Sequence, residues 1–271
     1  LRSVAKGREH PPLALLVDEL GVHFDATAPS RIEQLIAAPI TVTEANRARA
    51  LQRLWCEQRL SKVNPPREAE APQESYVLVV DQSAGDRSIA LGLADASCFQ
   101  RMLKAALQDH PDCMVVVKVH PDVISGRSRG HFTAEDLAHP RVRLSADGGH
   151  PARLLERARA VYVVTSQMGF EALLWGRPVH CFGMPFYGGW GLTHDRCDAP
   201  VRRREGASLE ALVHAVLVGA CRCIDPQRHQ PCRIETLMGA IGLQRRLQAQ
   251  QPRRCVASVS YTHLRAHETS P

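Results

Sequence analysis

The chain has 271 residues, of which 44% are hydrophobic, and it carries a formal net charge of +6 with an isoelectric point near 9.0. This length suits one large domain or two small ones around a buried core, and no apolar run approaches the roughly 20 residues of a membrane-spanning helix. The nine cysteines include no C-x-x-C pair, which argues against a zinc or redox motif and favours reduced thiols in a cytoplasm. The basic balance favours anionic partners without choosing among nucleotides, acidic sugars, lipid headgroups and nucleic acid.

The first 60 residues are predicted to be helical. Pro12–Leu20 is a short apolar stretch, and Thr43–Leu60 begins with a Thr-x-Glu signal that is typical of a helix start. Apolar residues recur at helical spacing in the second stretch, at Ala48, Leu51, Leu54 and Trp55. Ser61–Ser75 is polar, contains three prolines and lacks a period, so a linker is expected there.

From Tyr76 onward, short apolar runs alternate with amphipathic stretches. Strands are predicted at Tyr76–Val80, Cys113–Val119, Arg141–Leu144, Val161–Val164 and Pro178–Phe182. Helices are predicted at Asp95–Gln108, Pro151–Ala158, Gln167–Trp175, Leu209–Val218 and Ile234–Leu247. This alternation predicts an α/β fold, a Rossmann-like parallel sheet flanked by helices. Ligands of such sheets bind beyond the carboxyl ends of the strands.

Polar residues follow the first two predicted strands. Asp81 and Asp86 lie in a glycine-containing loop, where a carboxylate can serve as nucleophile or base at an anomeric carbon or simply cap a turn. Lys118 and His120, with Pro121 ending the strand, can neutralise a leaving phosphate. The dipeptide His-Pro alone proves little, because it also occurs at positions 10, 110, 139 and 150, where surface turns are expected.

The fourth predicted strand leads into a helix through three polar residues. Thr165, Ser166 and Gln167 offer hydroxyls and free backbone N–H groups that can bind phosphate, although plain helix capping explains them equally well. Glu171 follows one turn later, where its carboxylate can accept hydrogen bonds from ribose hydroxyls or face solvent.

An aromatic, glycine-rich loop spanning Phe182–Asp195 follows the fifth predicted strand. Glycines allow a close approach of backbone to ligand, and aromatic rings offer flat faces to a sugar or base. A hydrophobic plug over the sheet edge is an equal alternative. The residues expected to contact sugar or acceptor are Phe186, Tyr187, Gly188, Gly189 and Trp190.

Other motifs give weaker signals. Gly126–Gly130 fits the letters of a hydrolase nucleophile elbow, but no strand leads directly into a helix there. The basic cluster Arg202–Arg204 lacks interleaved aromatics, so no nucleic-acid partner is expected. The chain shows no dinucleotide fingerprint, Walker loop or His-Glu-x-x-His motif, and neither a cofactor nor a metal is expected.

Three segments together resemble the KpsC/LipA family of capsule polysaccharide biosynthesis and export proteins. Thr165–Asp195 carries most of this resemblance, and Val79–Ser88 and Lys118–Val123 support it in the same order. Leu1–Val4 and Gly21–Arg31 also look familial, so the resemblance covers roughly residues 1 to 250.

The resemblance implies a GT-B glycosyltransferase module of two Rossmann-like halves. Such modules transfer β-Kdo (3-deoxy-manno-octulosonic acid) from CMP-Kdo to a lipid-linked lyso-phosphatidylglycerol primer at the inner membrane, without a cofactor. Residues 1–60 would be the tail of the acceptor-side half, 61–75 a linker and 76–250 the donor-binding half of the N-terminal module. Peripheral contact with the inner membrane and with the capsule export machinery is also implied.

The resemblance also assigns roles within the site. It implies a retaining reaction with Asp86 as nucleophile and Asp81 as the alternative. In this family an acidic pair precedes the segment that matches Leu1, so a complete acceptor side is not expected in this chain. The donor nucleotide would contact Lys118, His120, Pro121, Thr165, Ser166, Gln167 and Glu171.

Two alternative functions stay open at this point. One is a non-catalytic nucleotide-binding component of capsule export, and the other is a GT-B enzyme that uses a UDP-sugar. Residues 251–271 have no hydrophobic period and resemble an adaptor-derived or frameshifted translation, so a poorly packed tail is expected.

Overall fold

The computed structural model describes residues 12–203 and 206–250, and these begin with a short strand and two helices. They are β1 at Ala14–Leu16, α1 at Arg31–Ala37 and α2 at Val42–Glu57. Each helix opens on a capping box, Ser30 with Glu33 and Thr41 with Glu44. The helix predicted at Pro12–Leu20 is wrong, because β1 pairs antiparallel with a strand near the end of the chain.

Strands and helices alternate after the linker. The strands are β2 at Tyr76–Val80, β3 at Met114–Lys118, β4 at Val142–Ser145, β5 at Val161–Val163, β6 at Val179–Cys181, β7 at His194–Asp195, β8 at Cys221–Ile224 and β9 at Pro231–Cys232. The helices are α3 at Arg87–Leu91, α4 at Ser97–Asp109, α5 at Pro121–Ile124, α6 at Ala134–Leu137, α7 at Ala152–Arg157, α8 at Met168–Leu174, α9 at Leu209–His214 and α10 at Ile234–Gln250. A 3₁₀ turn covers Val201–Arg203, and a π-helical turn at Ala215–Gly219 extends α9.

Six parallel strands form the main sheet in the order β4-β3-β2-β5-β6-β7. This confirms the predicted α/β fold with a parallel sheet flanked by helices. The strand order reverses between β2 and β5, which is where doubly wound sheets open a crevice for ligands. A second, antiparallel sheet has the order β1-β8-β9. Its strands, like β7, are too short for the sequence pattern to reveal them.

The core lies on both faces of the main sheet. On one face, Val77 of the central strand belongs to an apolar cluster with Phe99 of α4. On the other, Leu78 belongs to a larger cluster that contains Phe170 of α8 and Leu51 of α2. Alternate residues of β2 point to opposite faces of the sheet. The helices of residues 12–60 therefore share a core with the face that carries Leu78.

The linker Ser61–Ser75 contains no helix or strand, but it packs against the start of α7. His150 donates its backbone N–H to Arg67 O (2.8 Å) and accepts from Ala69 N (2.9 Å), and its Nε2 lies 3.2 Å from Asn64 Oδ1. The surface turn expected at His150 is therefore wrong, since the side chain is fully buried between linker and helix.

Within residues 12–203 and 206–250, no helix has the length and apolarity to cross a lipid bilayer. The expectations for Leu1–Val4, His10, Arg204 and the tail 251–271 lie outside the described residues.

Candidate functional site

The loops after β2 and β3 face each other across an open cleft of about 360 Å³. We call this space the cleft; it is lined by Ser83, Ala84, Gly85, Asp86, His120, Asp122, Arg127 and Ser128. Gly85 has a positive φ of 82°, a conformation that disfavours any side chain, so the turn beside the cleft requires glycine. Two predicted site residues, Asp86 and His120, therefore share one cavity.

Asp86 is exposed and also caps a helix. One carboxylate oxygen accepts from the backbone N–H of Ser88 at 2.9 Å, which fixes the start of α3. The other lies 3.4 Å from the side-chain amide nitrogen of Gln82. The capping contact does not exclude a role in a site, because these contacts orient the carboxylate without covering it.

Asp81 differs from Asp86 because its side chain is buried. Its Oδ1 accepts from the backbone N–H groups of Gln82 (2.8 Å) and His131 (3.2 Å) and lies 3.3 Å from Nδ1 of His131. The His131 ring stacks on Phe99 at 3.7 Å between centroids. Asp81 thus ties the loop after β3 to the end of β2 and does not line the cleft, which leaves Asp86 as the accessible carboxylate.

The ring of His120 lines the cleft and is held to the protein through Nδ1. Nδ1 accepts from the backbone N–H of Asp122 at 3.1 Å and lies 3.2 Å from Ser83 Oγ. Because Nδ1 accepts a hydrogen bond, we assign the proton of the neutral ring to Nε2. With the side chain 43% exposed, Nε2 can donate to a bound anion. Pro121 follows as the first residue of α5.

Lys118 does not join His120 in the cleft. Its side chain is buried, and Nζ donates to Gly149 O at 3.3 Å. Burial lowers the pKa of Lys118, and the negative charges of Asp147 and Glu171 act in the opposite direction. The ammonium therefore lies beneath the sheet edge, on the side of the linker, rather than beside the imidazole.

Gln82 joins the two strands where the strand order reverses, a role the sequence reasoning missed. Its side-chain nitrogen donates to Thr165 Oγ1 (3.1 Å) and Ser88 Oγ (3.3 Å), and its oxygen accepts from Thr165 N (3.0 Å). Gln82 and Thr165 are both buried, so these internal partners occupy the predicted phosphate-binding groups of Thr165. The only signal in the sequence is an amide residue two positions after a buried strand.

Ser166 and Gln167 remain partly exposed at the end of β5. Ser166 Oγ accepts from the backbone N–H of Met168 at 3.3 Å, which is the capping alternative. Gln167 is the N-cap residue of α8, and its side chain makes no capping bond. Of the predicted nucleotide contacts on this side of the sheet, these two stay accessible.

Glu171 points away from solvent and into the linker. Its Oε1 accepts from the backbone N–H of Lys62 at 3.0 Å, and Oε2 is buried without a hydrogen-bond partner in the part of the chain described. Burial raises the pKa of Glu171, while hydrogen bonds from Lys62 and Ser61 oppose that shift. The solvent-facing alternative is wrong, and a ribose would have to displace the linker to reach this carboxylate.

The aromatic loop after β6 is a plug. Phe186, Tyr187 and Trp190 are at most 4% exposed. The Tyr187 hydroxyl donates to Ser166 O, and Trp190 Nε1 donates to Phe186 O at 2.9 Å. Gly169 lies directly against the Tyr187 ring, where a larger residue would collide with it. We call residues 186–190 the plug; the alternative of open stacking faces is wrong, since packing covers these rings.

A buried ion-pair network anchors the plug to α1. Arg203 is 1% exposed and donates through Nε to Glu33 (2.6 Å) and through Nη1 to the carbonyls of Pro185 (2.7 Å) and Gly188 (3.0 Å). Arg202 donates to the other oxygen of Glu33 at 2.7 Å. These two arginines of the basic cluster therefore serve internal packing.

The described residues contain no group of three or more His, Cys, Asp or Glu side chains placed to hold a metal ion. As expected from the sequence, residues Gly126–Gly130 do not form the strand-to-helix turn of a hydrolase elbow. Ser128 Oγ donates to the carbonyl of Arg129 at 3.2 Å, and the next helix, α6, begins only at Ala134.

Comparison with known sequences places these features in a family. A family model described as "Capsule polysaccharide biosynthesis protein" matches residues 38–225. The capsule polysaccharide modification protein LipA of Neisseria meningitidis serogroup B is 42% identical over 208 residues, which are 72% of this chain and 29% of LipA. The lipopolysaccharide-processing protein LpsZ of Rhizobium meliloti is 36% identical over 234 residues, 83% of this chain and 53% of LpsZ. The chain thus spans between about a third and a half of these relatives.

Two solved structures share the fold. The β-Kdo 2,4 transferase of Thermosulfurimonas dismutans KpsC superposes with a TM-score of 0.82 at 37% identity, covering 89% of this chain and 77% of that one. The β-Kdo 2,7 transferase of the same KpsC gives a TM-score of 0.68 at 26% identity, covering 86% and 72%. With a family model matching more than half of its length, the chain belongs to the KpsC/LipA-type capsule polysaccharide biosynthesis proteins.

Proposed function

We propose that this chain carries the donor-binding half of a glycosyltransferase that transfers β-Kdo from CMP-Kdo to a lipid-linked acceptor. The observation that carries the proposal is the superposition on the KpsC β-Kdo 2,4 transferase, with a TM-score of 0.82 at 37% identity. The cleft supports it, because it combines an exposed carboxylate with a hydrogen-bond donor at the carboxyl ends of β2 and β3.

The proposed phosphate contacts are His120 Nε2 and the Ser166 hydroxyl. Both groups are partly exposed, and they follow strands on either side of β2. Thr165 and Lys118 help to hold the strand ends that carry these two groups, since their own polar atoms bond to Gln82 and Gly149. A single phosphate needs few donors, which fits CMP better than the diphosphate of a UDP-sugar. We propose binding without a metal ion.

In the proposed reaction, Asp86 is the nucleophile. Its oxygen forms a bond to the anomeric carbon while the bond from that carbon to the phosphate oxygen breaks, and CMP leaves with the electron pair. His120 donates a hydrogen bond to the departing phosphate. The acceptor oxygen then bonds to the anomeric carbon from the face that CMP left, the bond to Asp86 breaks, and the acceptor hydroxyl gives its proton to a base from the acceptor-side half. Two displacements retain the configuration.

The acceptor and the location follow from the family resemblance. We propose a lyso-phosphatidylglycerol primer and peripheral contact with the inner membrane and the export machinery. The net charge of +6 is compatible with an anionic lipid surface.

Calorimetric titration tests the donor assignment. We expect the chain to bind CMP without added divalent metal. We expect His120→Ala and Ser166→Ala each to lose about 1 kcal/mol or more, the order of one hydrogen bond to a charged group. His139→Ala is the matched control, because His139 also precedes a proline but lies exposed in a turn outside the cleft.

The outcomes separate the three functions. Binding of UDP in place of CMP would sink the Kdo assignment and favour a UDP-sugar enzyme. If CMP binds but a complete module bearing these residues neither hydrolyses nor transfers CMP-Kdo, a nucleotide-binding component of capsule export is the better description.

A further inference from the structure

The cleft contains a guanidinium that the proposed nucleotide contacts do not use. Arg127 lines this space together with Asp86 and His120. Its side chain is 58% exposed, so a ligand in the cleft can reach it. In the sequence, Arg127 lies inside the letters of the rejected hydrolase motif, and no local pattern marks it as a site residue.

Arg127 is held in place by Asp122. Its Nε and Nη2 contact the same carboxylate oxygen of Asp122, at 2.9 and 2.8 Å. The Asp122 carbonyl accepts from the backbone N–H groups of Arg127 (2.9 Å) and Ser128 (3.1 Å), while the Asp122 N–H donates to His120. The guanidinium is therefore fixed relative to the imidazole, and its Nη1 edge is not used by this pair.

We propose that Arg127 binds the carboxylate of the donor sugar and so selects acidic sugars; this rests on the proposed function. A 3-deoxy-octulosonic acid carries its carboxylate directly on the anomeric carbon. The nucleophile Asp86 must therefore approach a carbon that already bears an anion. A guanidinium in the same cleft offsets this repulsion, and its planar fork matches the geometry of a carboxylate.

Two ligands separate a contact to carboxylate from a contact to phosphate. Free CMP carries nearly two negative charges on its phosphate at neutral pH, since a phosphate monoester has a second pKa of about 6. CMP-Kdo carries about one charge on its phosphodiester and one on the sugar carboxylate. The total charge is the same, but its location differs. A residue that contacts phosphate contributes at least as much to the affinity for CMP as to that for CMP-Kdo. A residue that contacts the sugar carboxylate contributes only to the affinity for CMP-Kdo.

The test compares dissociation constants for CMP and CMP-Kdo without acceptor, measured by calorimetry on the whole chain. For Arg127→Gln we expect about tenfold weaker binding of CMP-Kdo, the effect of one charge-assisted contact, and less than about twofold change for CMP. Arg127→Lys keeps the charge but not the fork and should give an intermediate loss. Arg129→Gln is the matched control, because Arg129 lies in the same loop but does not line the cleft.

Each remaining outcome counts against the proposal in a distinct way. An equal loss for both ligands makes Arg127 a phosphate contact, and no loss for either removes it from the site. If the unaltered chain binds no CMP, the proposed function itself fails, and the inference falls with it. Thermal unfolding midpoints check the fold, and Arg127→Lys carries the comparison if Arg127→Gln does not fold.

Discussion

The loops that form the cleft and the loop that forms the plug leave the same edge of the main sheet, yet they differ in exposure. Asp86 and His120 stay open to solvent, whereas Tyr187 and Trp190 are buried. Both regions are cross-linked by hydrogen bonds. Ser83 joins His120 in the cleft, and Tyr187 joins Ser166 beneath the plug.

The difference follows from what each region can satisfy internally. Large aromatic side chains gain free energy from burial once their few polar atoms have partners, as Trp190 Nε1 has in Phe186 O. The groups lining the cleft include two carboxylates and a guanidinium, which are costly to remove from water. A position at the carboxyl edge of the sheet therefore shows where a site can form. Which loop forms it depends on whether the polar groups of that loop have hydrogen-bond partners inside the protein.

The largest effect is expected at the anchor of the plug. Glu33→Ala leaves Arg203 buried without its counter-ion, and we expect a loss of about 3–5 kcal/mol in the free energy of unfolding. Glu19→Ala is the matched control, because the pair of Glu19 with Arg31 is exposed and should contribute at most about 1 kcal/mol. Urea denaturation measures both. Equal losses in the two variants would mean that the plug is not held by its buried ion pair.

A smaller effect separates the two aspartates after β2. Asp81→Ala removes a buried acceptor of two backbone hydrogen bonds, so we expect a loss of about 2–3 kcal/mol in the free energy of unfolding. Asp86→Ala removes only a helix cap and should cost about 1 kcal/mol. A complete module that carries Asp86→Ala should lose transfer activity, because Asp86 is the exposed carboxylate proposed as the nucleophile. A larger loss of stability at Asp86 than at Asp81 would reverse the proposed assignment.

A still smaller effect tests whether plug and cleft are independent. Tyr187→Phe removes one hydrogen bond to Ser166 O, which also accepts from Gly169 N at 3.0 Å. We expect a loss of about 1 kcal/mol in unfolding and no change in CMP affinity. Tyr76→Phe is the control, because Tyr76 donates to Leu154 O at 2.9 Å away from the ligand edge. A weaker affinity for CMP in Tyr187→Phe alone would show that the plug positions Ser166.

The sequence allowed five of the six strands of the main sheet to be predicted, because a local pattern of apolar residues marks each of them. Tyr76–Val80 is apolar throughout and proves to be buried throughout, at the centre of the sheet. The short antiparallel sheet was missed, since three apolar residues at Ala14–Leu16 show no period that distinguishes strand from helix. Its identity depends on the partner strand Cys221–Ile224, which lies about 200 residues further along the chain.

The site was harder to predict than the fold. The sequence placed Asp86 and His120 after strand ends, and the structure brings both to one cleft, since that depends on topology alone. Exposure depends on tertiary partners that no local pattern shows. Lys118 faces Gly149, and Glu171 faces the linker at Lys62. The same reason explains why Gln82 was overlooked, because its amide bonds to Thr165 in another loop.

Glu171 lies in neither the cleft nor the plug. Its side chain is buried, as those of the plug are, but it is ionisable, as several side chains that line the cleft are. Its pKa in the folded chain is raised above the ordinary 4.5 by burial, so folding favours the protonated form. Stability from this group is therefore fully present below about pH 4.5 and is lost as the pH rises through the folded pKa. Glu171→Gln removes the titration and keeps an oxygen to accept from Lys62 N. We expect this variant to gain stability relative to the unaltered chain as the pH rises.

Glu68 provides a control of the same residue type with the opposite sign. Burial would raise its pKa, but the hydrogen bond and charge of Arg59, with Arg245 and Arg153, lower it below 4.5. Glu68→Gln should therefore be less stable than the unaltered chain at neutral pH, and the deficit should shrink as the pH falls. Urea unfolding between pH 4 and pH 8 measures both differences. Parallel pH curves for Glu171→Gln and the unaltered chain would mean that Glu171 is solvated in solution, and the linker would then be open enough for a ribose to reach it.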